Sequence, residues 1–114
     1  MGNYRRGDVV IAYFPREFGK PRPGVVIQND VLNEAGYPSV VLCPFSSTVR
    51  DDLFFRIIID PRPENGLRER SQIMTDKPLT VNMNKVKKRI GRLTAAEMEE
   101  VGRALSFILG IVQE

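Results

Sequence analysis

Apolar and polar positions along the chain fall into short runs broken by glycine and proline, with one stretch at helical spacing near the C-terminal end. Val9-Val10-Ile11-Ala12-Tyr13-Phe14, introduced by Arg6-Gly7-Asp8 and closed by Pro15, is β-branched and aromatic and predicts a first strand. A second is expected from about Gly24 to Gln28, and a third from Tyr37 to Phe45 around Val40-Val41-Leu42-Cys43. Asn29-Asp30 between them can cap a short helical turn through Val31-Leu32-Asn33, ended by Gly36. Leu53 to Ile59 predicts a fourth strand. It runs into Asp60-Pro61-Arg62-Pro63-Glu64-Asn65-Gly66, where two prolines and an Asn-Gly pair enforce a turn. Ser71 to Thr75 reads as a fifth strand, halted by Asp76-Lys77-Pro78.

Lys85 to Leu93 carries five cations and no acid, and reads as a turn or helix leading into a short strand around Arg89-Ile90. Thr94 then opens a helix. Thr94 and Glu97 have capping-box spacing, and Glu97, Glu99 and Glu100 complement the positive end of the helix dipole. Met98, Val101, Leu105, Ile108, Leu109 and Val112 recur at helical spacing and give one apolar face to lay on a sheet, while Met98 and Phe107 read as plain core packing. Short strands between Gly/Pro turns followed by one amphipathic helix predict a mainly β, α+β fold: a small antiparallel β-barrel with a packed helix, in one domain spanning 1–114.

Lys20-Pro21-Arg22-Pro23-Gly24 adds a candidate for chemistry. Two prolines fix φ on either side of Arg22, so the guanidinium is expected on a stiff, extended arm, suited to gripping a phosphate or carboxylate. A net charge of +3 is compatible with a polyanionic partner without demanding one. The chain has no histidine and one cysteine, Cys43, which lies in an apolar run and reads as a small core residue. That argues against a zinc site and against Ser-His or Cys-His nucleophiles, leaving Asp, Glu, Lys, Arg, Tyr or a hydroxyl for any acid–base work. A single cysteine fits a reducing cytoplasm, and neither a membrane span nor a signal-peptide pattern is expected.

Four blocks resemble the MazF/PemK family of toxin–antitoxin endoribonucleases: Arg6-Gly7-Asp8-Val9, Arg22-Pro23 running into Val25-Val26-Ile27, Pro44-Phe45-Ser46-Ser47, and Arg89-Ile90-Gly91-Arg92-Leu93 followed by the acidic helix. The resemblance implies an SH3-like barrel of the CcdB/PemK type that forms a homodimer, binds single-stranded RNA, and is neutralised by a small acidic antitoxin. It implies binding to operator DNA only together with that antitoxin. It also implies cofactor-free, metal-independent cleavage, in which the ribose 2′-OH attacks the adjacent phosphorus.

By position in the motifs, Arg22 matches the phosphate-binding arginine, and Ser46 matches the catalytic threonine with its hydroxyl kept and its methyl lost. Ser47 and Thr48 are candidates for flanking phosphates, and Lys20, Arg50 and Lys77 for further RNA contacts. Asp76 matches an aspartate implicated as a base in the PemK/Kid branch; the alternative is a carboxylate capping the turn before Pro78. Leu79 and Met74 stand where relatives often carry arginines, and the first loop is shorter, leaving Glu17 as a further carboxylate candidate. The proton donor is unassigned, with Lys20 and Lys77 as candidates. Two other readings share the fold: a CcdB-like gyrase poison, disfavoured by the absence of tryptophan, and an RNA binder without turnover.

Overall fold

A computed structural model describes residues 3–15 and 19–111. Its elements are β1 (Asp8–Tyr13), β2 (Pro21–Val26), α1 (Asp30–Glu34), β3 (Ser39–Ser46), β4 (Ile57–Ile59), β5 (Ser71–Ile73), β6 (Leu79–Asn82), β7 (Val86–Arg92) and α2 (Ala95–Leu109). The strands form one antiparallel sheet in the order β4-β5-β3-β2-β1-β7, with β6 added to the far part of β3. The sheet is barrel-like without a ladder joining β4 to β7 among the described residues.

β1 lies between β2 and β7 and has both faces covered, which is why its sequence is apolar almost throughout rather than alternating. Val9 and Val25 point into a core with Cys43, Phe45, Ile59, Ile73 and the α2 residues Met98 and Val101. Val10 and Val26, one step along each strand, point into a second core with Val40, Leu42 and Val81. The helix entrance follows its expected capping: Thr94 Oγ1 accepts the Glu97 N–H at 3.1 Å while Glu97 Oε1 accepts the Thr94 N–H at 2.9 Å. The α1 cap is also where the sequence puts it, with Asn29 Oδ1 accepting from the Val31 N–H at 2.8 Å.

Several boundaries differ from the sequence reading. β2 starts at Pro21, so Arg22 is inside the strand, opposite Ala12, rather than on an arm before it. Pro21 and Pro23 are tolerated because β3 pairs only with Gly24–Val26, leaving the proline-bearing half of β2 as an edge on that side. β4 is only Ile57–Ile59; the residues before it turn, with the Arg56 N–H bonded to the Leu53 carbonyl at 3.0 Å. Leu79–Asn82, unanticipated, forms β6, and the basic segment is a seven-residue strand after a single 3-10 turn at Met83–Lys85. Phe107 and Leu109 are not core: they are 59% and 62% exposed, and Phe107 instead meets Phe54 and Phe55 in a surface aromatic cluster. Val112, expected on the same face, lies outside the described residues.

Candidate RNA-binding cleft

Three further segments meet the proline-bearing half of β2. β2 brings Arg22 with Lys20 just before it, the end of β3 brings Phe45 and Ser47, and β7 brings Lys88 and Ile90. The third wall is the segment Gly66-Leu67-Arg68-Glu69. Together they enclose a cleft of about 690 Å³ whose floor is apolar, from Ile11, Pro21, Pro23, Phe45, Leu67 and Ile90. Among the described lining residues four cations, Lys20, Arg22, Arg68 and Lys88, accompany one carboxylate, Glu69, so their sum is net positive. A low-dielectric floor under convergent cations strengthens attraction for an anionic ligand.

The third wall is held by local bonds. Asn65 is fully buried; its Oδ1 accepts the N–H groups of Arg62 (3.1 Å) and Leu67 (3.0 Å), and its Nδ2 donates to the Asp60 carbonyl (3.0 Å). Gly66 has φ +71° and lies against β7, where a Cβ would collide with the Ile90 carbonyl. Ser71 Oγ donates to the Glu69 carbonyl at 2.9 Å.

Of the residues singled out from sequence, Lys20, Arg22 and Ser47 line this cleft. Ser46 is the last residue of β3, opposite Gln72 of β5; its hydroxyl donates to the Thr48 carbonyl (3.3 Å) and accepts the Thr48 N–H (3.1 Å), which orders the chain leaving the strand. Arg50 forks onto Asp52 at 3.2 and 2.8 Å, and its backbone is bracketed by the Gln72 side chain. Asp76 accepts from Arg56 through both oxygens, and these hydrogen bonds hold its carboxyl below the usual range. Lys77 is exposed beside it. Ser46, Thr48, Arg50, Asp76 and Lys77 do not line the cleft, and Glu17 lies outside the described residues.

The sequence reading missed Arg68 and Glu69 as site residues. They follow a turn with no periodic signal, and only the packing of Gly66 on β7 brings them to the cleft. Among the described residues no three His, Cys, Asp or Glu side chains cluster as a metal site would, and no helix is long and apolar enough to cross a membrane.

The model of the family described as PemK-like, MazF-like toxin of type II toxin–antitoxin systems matches residues 5–109. A probable endoribonuclease MazF of Mycolicibacterium smegmatis is 39% identical over 108 residues, covering 94% of this chain and 97% of that protein. The Mycobacterium tuberculosis toxin MazF-mt6 superposes with a TM-score of 0.79 at 23% identity, covering 93% of this chain and 99% of that one. A MazE–MazF structure from Deinococcus radiodurans matches with a TM-score of 0.80 at 18% identity over 98% of this chain and 100% of that one.

Proposed function

The chain belongs to the PemK-like, MazF-like toxins of type II toxin–antitoxin systems, and from that premise we propose that it is a growth-inhibiting, sequence-selective endoribonuclease acting on single-stranded RNA. The observation that carries this reading is the convergence of Lys20 and Arg22 with Ser47, from two separate points of the chain, on one cationic cleft that also has apolar lining residues. Phosphates suit the cations and the hydroxyl, and the faces of unstacked bases suit the floor.

The reaction follows from what such a site can supply. The ribose 2′-OH loses its proton and attacks the adjacent phosphorus, the bond to O5′ breaks, and O5′ takes up a proton. The products are a 2′,3′-cyclic phosphate and a 5′-hydroxyl. The nucleophile belongs to the RNA, so no enzyme nucleophile is required, in keeping with a chain that has no histidine. Arg22 binds the non-bridging oxygens, where charge builds up in the transition state. Ser46, next to the lining residue Ser47, exchanges its bond to the Thr48 carbonyl for one to the phosphate; Ser47 and Lys20 hold flanking phosphates in the cleft, and Thr48, Arg50 and Lys77 hold phosphates of the strand beyond it. Asp76 has both oxygens committed to Arg56, and a carboxylate held in that way is a weak proton acceptor. In this reading Asp76 orders the end of β5 rather than taking the 2′-OH proton.

The protein works in the cytoplasm as a homodimer, and an acidic antitoxin covers the cleft and accompanies the toxin to operator DNA; a Mycobacterial endoribonuclease has been seen in complex with its cognate antitoxin. The test is incubation of purified protein with a long single-stranded RNA in EDTA and mapping of the ends. Defined cuts ending in a 2′,3′-cyclic phosphate, or the 3′-phosphate derived from it, are expected. Intact RNA in the presence of folded protein would overturn the reading.

A further inference from the structure

Glu69 is out of place in a cleft built for phosphates. It is the one carboxylate among the described lining residues, it is exposed, and it makes no ion pair among the described residues, although Arg68 is next to it in sequence and Lys20, Arg22 and Lys88 share the cavity. A carboxylate repels a phosphate, so it is no ligand for the phosphate oxygens. Its complement on RNA is a base edge rich in N–H donors. Guanine alone among the four standard bases presents two adjacent donors, N1–H and the N2 amine, which match the two oxygens of a carboxylate. Cytosine and adenine offer a single amine beside an acceptor, and uracil a single N–H between two carbonyls.

Placement supports the match. Lys20 and Arg22 come from β2 and the residue before it, whereas Glu69 follows Gly66, which is seated on β7, two strands away from β2 in the sheet order. A nucleotide whose phosphate is held by Lys20 and Arg22 therefore reaches Glu69 with its base, across the apolar residues of the same cleft. The wall is also pre-organised: buried Asn65 bonds Arg62, Leu67 and Asp60, Gly66 seats the turn on β7, and Ser71 Oγ ties down the Glu69 carbonyl. An ordered backbone under the carboxylate lowers the entropy lost when the right base arrives, although the side chain itself is exposed.

We propose that Glu69 is a specificity-determining residue that selects guanine at one position of the RNA cut site. This rests on the endoribonuclease reading. The test begins with cut-site mapping on a long single-stranded RNA by the full-length wild type, Glu69→Gln and Glu69→Ala. Short oligoribonucleotides spanning a strong cut site, with guanosine, inosine, adenosine, cytidine or uridine at the enriched position, then give single-turnover rates. Wild type is expected to require guanine at one position, to slow about tenfold with inosine, which lacks the N2 amine, and up to about a hundredfold with uridine. In Glu69→Ala that spread is expected to collapse to about threefold or less, with an unchanged melting temperature because the side chain is exposed. Folded Glu69 variants that keep the wild-type preference, or a wild type that cuts with no guanine-enriched position, would overturn the Glu69 assignment alone. A folded wild type that leaves RNA intact would overturn the endoribonuclease reading and this assignment with it.

Discussion

Arg56 and Asp76 meet fork to fork, Nε to Oδ1 at 2.8 Å and Nη2 to Oδ2 at 3.0 Å, with the Arg56 side chain only 8% exposed. Next to them, Thr75 Oγ1 donates to the Phe55 carbonyl at 2.8 Å. These contacts pin the turn before β4 to the end of β5, the two shortest strands of the sheet. The pair therefore does structural work at a place where few ladder bonds are available.

Removing one partner leaves a nearly buried charge alone. Asp76→Ala is expected to lower stability by about 2 kcal/mol, below the range for wholly buried pairs because the Asp76 side chain keeps some solvent contact. The pH dependence has a definite sign. Hydrogen bonds from Arg56 lower the folded-state carboxyl pKa, so the stabilisation is present above the unfolded value of about 3.9 and is lost as pH falls through the lower folded value. Acid melting curves should be shallower for Asp76→Asn than for wild type below about pH 4. Superimposable curves would show that the pair adds nothing to acid stability.

Arg22→Ala is expected to cut RNA cleavage by about a hundredfold to a thousandfold, the usual loss when a donor to developing charge is removed. Its place in the proline-bearing half of β2, away from both cores, makes its stability cost small, about 0.5 kcal/mol or less. Cleavage at the wild-type rate by the folded variant would show that the phosphate is held elsewhere.

Gly66→Ala tests the wall of the cleft. The position combines φ +71° with a close approach to the Ile90 carbonyl, so an added methyl is opposed by backbone strain and by collision together. A loss of about 2 kcal/mol in denaturant midpoint experiments is expected, with cleavage reduced as Arg68 and Glu69 shift. Gly36→Ala is a control: its φ is +75° but a Cβ there meets nothing, so only the strain is felt.

Cys43 should be chemically silent. Burial, reinforced by the Asp76 charge, pushes its thiol pKa up to about 12, and the side chain has no solvent contact. Thiol reagents at pH 8 should label it only at the rate of unfolding, so the labelling rate becomes a measure of native-state opening. Fast labelling under native conditions would show that β3 opens locally.

Glu97 illustrates what local sequence can encode. Its bond to the Thr94 N–H is fixed by residues three apart, and the capping box was readable as such. The same carboxylate also accepts from Arg62 Nη2 at 3.0 Å, across 35 residues, and nothing in the local pattern announces that.

Features that depend on neighbours a few residues away were legible in the chain: the apolar strands β1 to β3, the Asn29 and Thr94 caps, the turn around Asn65-Gly66, and the burial of Cys43 and Met98. Tertiary structure decided the rest. β6 and β7 carry polar and basic residues and exist because β3 and β1 offer them ladders, while the residues from Leu53 to Arg56 turn despite their strand-like composition. Phe107 reads as core from its sequence yet faces out, where Phe54 and Phe55 meet it from a segment far away in the chain. The cleft follows the same rule. Proline chemistry singled out Arg22 in advance, but the meeting of Arg22 with Lys88, Arg68 and Glu69 depends on contacts between segments far apart in the chain, and local propensity carries no information about those.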